Sequence, residues 1–221
     1  MENQFTFAIG PIIISASVIT TWGIMLVIAV LAWLSTRHLE MLPGKLQATV
    51  EGIVVTIDKA ILAVAPEHGR KILPFIATVW LFLIVANLLS LIPGLHSPTR
   101  DLSVTSALAI LVFFSVHWYG IRTQGFKNYL RHYLHPSPIL LPFHIISEFT
   151  RTLALAIRLF GNMMSLEMAA MLILLVAGFL APIPILMLHI IEALVQAYIF
   201  GMLALIYLAS AIQSQHLNSQ E

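Results

Sequence analysis

The chain has 221 residues, 59% hydrophobic and only 10% charged, with 11 Lys plus Arg against 10 Asp plus Glu and a net charge of +1. A mean hydropathy of +0.95 lies far outside the soluble globular range, and the balanced charge offers no basic surface for nucleic acid. With no Cys at all, disulfides, thiolate metal sites and Cys nucleophiles are excluded together.

The expected fold class is an all-α polytopic membrane protein forming a single membrane domain over 1–221. Met1-Glu-Asn-Gln4 lacks the basic start of a cleaved signal peptide, so insertion is expected to rely on the first span itself. That span covers about 12–34, and Pro43-Gly44 follows it. Over 45–64, Leu46, Val50, Ile53, Val54, Ile57, Ile61 and Val64 recur at helical spacing while Lys45, Glu51, Asp58 and Lys59 take other faces. This predicts an amphipathic interfacial helix, with a packed extramembrane helix as the alternative. Spans over 72–92 and 102–119 come next, the first closed by Pro93-Gly94 and the second preceded by Pro98. A Pro-rich loop, His135-Pro-Ser-Pro138 to Pro142, leads into 144–180, 37 residues without Pro. As one helix these would extend roughly 55 Å, more than a bilayer needs, so a break or a steep tilt is expected. The last span covers 185–212, after Pro182 and Pro184, and ends in the polar tail Gln213 to Glu221.

Basic residues orient the spans. The first ten residues hold none; 35–71 holds Arg37, Lys45, Lys59, Arg70 and Lys71; 93–101 holds Arg100; 120–143 holds Arg122, Lys127 and Arg131. By the positive-inside rule the N-terminus faces out, and five spans leave the C-terminus inside.

Arg158 lies in the apolar run Ala154-Leu-Ala-Ile-Arg-Leu-Phe-Gly-Asn-Met163. An Arg at bilayer depth costs about 2.5–3.5 kcal/mol on insertion scales and roughly 10–17 in simulations, and it cannot escape by deprotonating. A snorkelling or structurally paired Arg is one explanation; an ion pathway is the one favoured here. At about 100° per residue, Arg151, Ala154, Asn162, Ser165 and Ala169 fall within about 40° of Arg158, a small and polar face. Small side chains let another helix approach closely in lipid. Glu167 projects about 180° away, toward a different part of the site. Ordinary interhelical hydrogen bonding is the alternative for Asn162 and Ser165, and a buried structural carboxylate for Glu167.

On the last helix His189, Glu192 and Gln196 lie within about 60° of arc, and Tyr207 and Ser210 return to it. Such a stripe can hold water and relay a proton where hydrocarbon cannot. His-x-x-Glu without a second His or a Cys is a poor metal motif, and no Gly-x-Ser-x-Gly or phosphate-binding loop supports a hydrolase.

Arg158-Leu-Phe-Gly-Asn-Met163 with Glu167, and His189 with Gln196-Ala-Tyr-Ile-Phe200, resemble subunit a of the F-type rotary ATP synthases. Further similarity lies in Thr21-Trp-Gly, Asn87-Leu-Leu-Ser-Leu-Ile-Pro93, and Pro98-Thr-Arg-Asp101 with Thr105-Ser-Ala-Leu-Ala109. The resemblance implies five spans whose last two helices form a tilted hairpin against a rotating ring of c subunits. It implies that Arg158 is the fixed charge that ring carboxylates pass, with Asn162 beside it and Glu167, His189 and Gln196 on the proton path, to which the polar stripe of the last helix adds Glu192. His144, Glu148, Ser165 and Tyr207 are candidate half-channel lining. His144 stands where many relatives have Glu, and Arg151-Thr152 where they often have a basic residue then Pro, so the lining is the part where the chain departs most.

The implied partners are the c ring, the peripheral-stalk b subunits, the F1 sector through the complex, and the lipid bilayer. No cofactor and no catalytic centre are implied on this chain, ATP chemistry belonging to other subunits. The implied location is a bacterial inner membrane, or less readily an organellar one. The choice between H+ and Na+ is expected to lie in the ring. A stand-alone transporter or channel with an intramembrane Arg is the competing class, and the lack of an inverted repeat counts against it.

Overall fold

The computed structural model describes residues 7–9, 12–37, 44–66, 69–92, 97–126, 141–177 and 183–213. Among the described residues six α-helices run in chain order: α1 Ala16–Arg37, α2 Lys45–Val64, α3 Gly69–Leu88, α4 Leu102–Gln124, α5 Leu141–Ala177 and α6 Ile183–Gln213. All but α2 are long and apolar enough to cross a membrane. The protein is thus an all-α polytopic membrane protein in its spanning part. The His135–Pro138 loop and all of the polar tail beyond Gln213 lie outside the described residues.

One small strand pair departs from the expectation. Phe7–Ile9 and Ile12–Ile14 pair antiparallel, Phe7 opposite Ile14, and the first helix begins at Ala16 rather than near residue 12. Ile12-Ile13-Ile14 is a β-branched run, and β-branched side chains fit a pleated ribbon better than a helix. Hydropathy alone does not separate the two.

Local chemistry sets the helix ends. Asp101 caps α4, its carboxylate accepting from the Ser103 backbone N–H at 3.0 Å and the Ser103 hydroxyl at 2.8 Å. Burial pushes this carboxyl up, but the Ser103 bonds, a Ser17 hydroxyl and the Arg100 charge together hold it below the usual carboxylate range. At the other end of α4, Gly125 takes φ +78, which a side chain would resist, and its N–H closes onto the Ile121 carbonyl at 2.8 Å. The helix runs to Gln124, five residues past the expected end of that span. α5 continues for 37 residues without a break, with Pro142 in its first turn.

In lipid, apolar side chains gain little from burial against one another, so helices associate through close packing and hydrogen bonds. α6 supplies the required small residues at four-residue spacing, Ala193, Ala197 and Gly201, all buried. α3 packs along this stripe with Ile72, Ile76, Trp80, Leu83 and Ala86, while α4 offers Ala109, Val112 and Val116 and α5 offers Leu155 and Leu159 to the same core. Trp80 stacks on Tyr198 with rings 7° from parallel and donates its Nε1–H to the Tyr198 carbonyl at 3.4 Å.

A Cβ at Gly201 would stand 1.8 Å from Trp80 Nε1, where no side-chain adjustment suffices. Gly201→Ala is therefore expected to destabilise the α3–α6 pair by about 1–3 kcal/mol. The check is the amount of purified protein and its thermal inactivation midpoint, with partial recovery when Trp80→Leu is added. Unchanged thermal behaviour would contradict the packing.

α2 matches the amphipathic segment: Ile57 and Ile61 are buried against the bundle, and Lys45, Glu51 and Lys59 are exposed. α1 stands apart, with Ile24 as its buried residue. At its end Arg37 lies over the Trp33 ring, 4.7 Å from the centroid, a pairing suited to a membrane interface.

Candidate functional site

The α5–α6 hairpin carries three polar groups at successive depths. At its middle, Arg158 is exposed on the outward face of α5 and forms no hydrogen bond or ion pair among the described residues. Ala154 and Ser165 share this exposure. Leu155, Leu159 and Met163 point the other way, into the core, so packing of the apolar face fixes the direction of the charge. Four residues on, Asn162 donates its Nδ2–H to Gln196 Oε1 on α6 at 2.7 Å. Gln196 is 1% exposed and its Nε2 has no hydrogen-bond partner among the described residues. A buried amide N–H without an acceptor is costly.

Toward the Ala177 end of α5 lies the second group. Glu167 takes the Arg100 guanidinium, Nη1 to Oε1 at 2.6 Å. His189 is 3% exposed, and its Nε2 meets the Ser90 hydroxyl at 2.8 Å. Ser90 in turn donates to the Asn87 carbonyl at 2.7 Å. Both Glu192 and Glu167 are within electrostatic range of the His189 ring. Glu167 and His189 each have another immediate partner, Arg100 and Ser90, and the two groups share a neighbourhood.

A buried network holds this end in place. Asn87 Nδ2 donates to the Ala193 carbonyl at 3.2 Å, and Thr99 Oγ1 donates to Asn87 Oδ1 at 2.8 Å. Ser97 and Thr99 hydroxyls are 2.6 Å apart, and Ser97 also donates to the Ala86 carbonyl at 2.8 Å. Asn87 and Thr99 are fully buried. Every one of these groups is satisfied, which is the condition for a polar network in an apolar core to stabilise rather than disrupt.

The third group sits toward the opposite end. Arg151 lies 3.7 Å from Glu148 Oε2 and, through its guanidinium, 4.7 Å from the centre of the Tyr207 ring. The structure thus joins Glu148 and Tyr207 through a residue that the sequence placed only on the Arg158 face. His144 is exposed two turns or so before Arg151. Along α5, Arg151 is seven residues from Arg158, roughly 10 Å of rise, and Glu167 nine residues, roughly 13 Å.

Residues missed from the sequence are Arg100, Ser90, Asn87 and Thr99. They lie in the stretches Asn87–Pro93 and Pro98–Asp101, whose polar composition between two apolar spans was the available signal. A cavity of about 550 Å³ between α2, α3 and α6, lined by residues such as Ile53, Ile57, Trp80 and Leu194, holds none of the titratable groups above.

The chain matches the family model described as ATP synthase A chain over residues 18–209. It is 64% identical over 212 residues to an ATP synthase subunit a of Pelobacter propionicus, covering 96% of this chain and 93% of that relative. With an ATP synthase subunit a of Hahella chejuensis the identity is 69% over 205 residues, covering 93% and 87%. With that of Legionella pneumophila it is 57% over 218 residues, covering 98% and 95%.

Proposed function

This chain belongs to the ATP synthase A chain family, and we propose that it is the fixed, non-catalytic Fo subunit that passes ions to and from a rotating c ring. The observation that carries the proposal is the state of Arg158: a permanent charge on an exposed helix face, without a partner among the described residues, set between two polar clusters. An isolated Arg there would be prohibitively placed in lipid. A carboxylate arriving on another subunit supplies the missing counter-charge, and the small residues Ala154 and Ser165 leave room for it to pass. Meeting Arg158 favours the ionised carboxylate, so the proton leaves. Asn162 lies beside the exchange and is held by Gln196 behind it.

The cluster of Glu167, His189, Ser90 and Glu192 then forms the half-channel on the outer side, and Glu148, Arg151 and Tyr207 border the inner one. With the N-terminus outside and the C-terminus inside, each proton crossing contributes about 2.3 kcal/mol per 100 mV, in addition to the pH gradient. The protein works in a bacterial inner membrane, with the c ring, the peripheral-stalk b subunits and, through them, the F1 sector as partners. H+ or Na+ as the ion is set by the ring.

Affinity purification of this chain from gently solubilised membranes tests the assignment. A c ring and an ATPase whose hydrolysis is linked to ion movement are expected to accompany it. Recovery of the chain alone, still able to conduct ions when reconstituted, would identify a stand-alone transporter instead.

A further inference from the structure

We propose that Arg100 is a positioning residue of the outer half-channel, held by the buried Asn87–Thr99–Ser97 network so that its guanidinium fixes the Glu167 carboxylate on the proton path. This rests on the half-channel reading above and adds to it a residue from a different part of the chain. Arg100 lies in the short turn Pro98–Arg100, between α3 and α4. Three features make that turn rigid. Pro98 sets its first backbone angle, Ser97 accepts from the Thr99 N–H, and Asp101 immediately caps α4. Thr99 is anchored through Asn87 to the α6 backbone at Ala193, one helical turn from His189. The turn therefore ties the guanidinium to the same frame that carries the His189 ring.

The contact itself is a charge-assisted hydrogen bond at 2.6 Å, linking residues 67 positions apart. The two side chains keep 28% and 17% of their exposure, so the pair is neither sealed in the core nor free in solvent. An Arg in this position is suited to the task because its planar fork orients a carboxylate, and it never gives up its own charge. Glu167 is then held in one orientation on the proposed path. Charged and titratable groups around the pair include, among the described residues, Asp101 from the turn and His189 and Glu192 from α6. α3 contributes the uncharged Ser90 and Asn87, and α1 the Ser17 hydroxyl on Asp101. Arg100 is the cation among these that is permanently charged.

The test uses the complete complex in liposomes, with ATP synthesis driven by pH steps applied on the outer side of the chain. Arg100→Gln is expected to slow synthesis several-fold, because the carboxylate is no longer held on the path. Arg100→Lys keeps a cation that can hold the carboxylate and is expected to recover much of the lost rate. In the Arg100→Gln/Glu167→Gln double variant the Arg100 change adds nothing to the Glu167→Gln defect, the signature of two groups acting as one. Wild-type rates in Arg100→Gln, no recovery in Arg100→Lys, or additive defects in the double variant would overturn the role of Arg100 while a slow Glu167→Gln enzyme leaves the half-channel intact. Wild-type rates in Glu167→Gln would instead overturn the half-channel assignment on which the inference rests.

Discussion

Arg158→Ala is expected to abolish ATP synthesis in energised vesicles while the complex accumulates in normal amounts. Arg158 contributes no packing: it is exposed and bonded to no described residue, and the core-facing side of α5 is built from Leu155, Leu159 and Met163. Removing it therefore leaves the fold and takes away the charge that displaces a proton from each ring carboxylate. Without that charge the ring carboxylate keeps its proton as it passes, and rotation carries no net ion flow. Arg158→Lys is expected to restore little. An ammonium is a point charge without the planar fork, and at this depth it can lose its proton, whereas a guanidinium cannot. Comparable synthesis in the Lys variant and the wild type would mean that any cation suffices, against the specific geometry inferred here.

The second large effect is expected at His189. It is 3% exposed, 2.8 Å from the Ser90 hydroxyl and within electrostatic range of two carboxylates. In that position it is the titratable group best placed to carry protons between the outer cluster and the hairpin centre. His189→Leu, which fills the space with an apolar side chain, is expected to slow ion flux on the order of a hundredfold. Ser90→Ala keeps the imidazole and removes one hydrogen bond of about 0.5–1.5 kcal/mol, so its effect should stay within about tenfold. Passive proton flux through complexes stripped of their ATPase sector separates the two. Equal and small effects from both substitutions would place the pathway elsewhere.

Much of this site is legible in the sequence because charge in an apolar run stands out and helical periodicity then assigns its face. Arg158, Asn162, Ser165 and the line of His189, Glu192 and Gln196 are found in this way. Asn162 and Gln196 do meet, across 34 residues, because both lie where α5 and α6 approach. The 45–64 helix is equally readable, since its apolar stripe is bounded by charges on its other faces.

Arg100 is different. Its charge enters the sequence reading only as a count for orientation, and nothing local says that it reaches Glu167 on α5. The same holds for Ser90 with His189, 99 residues apart, and Asn87 with Ala193, 106 apart. In a membrane protein almost every helix face is apolar, so hydrophobic periodicity does not say which face of α3 meets α6. The stripe of Ala193, Ala197 and Gly201 is the signal that does, and Trp80 against Gly201 shows how closely the helices come. At the N-terminus the opposite problem arises: Ile12–Ile14 is apolar enough for a span yet pairs as a strand, because hydropathy is blind to β-branching.

The central claim is that Arg158 is the stationary charge with which moving carboxylates exchange protons. ATP-driven acidification of inverted vesicles tests it most directly, comparing wild type with Arg158→Ala at matched amounts of assembled, ATP-hydrolysing complex. The account predicts that the alanine vesicles hydrolyse ATP yet build no pH gradient; acidification near the wild-type rate would contradict it.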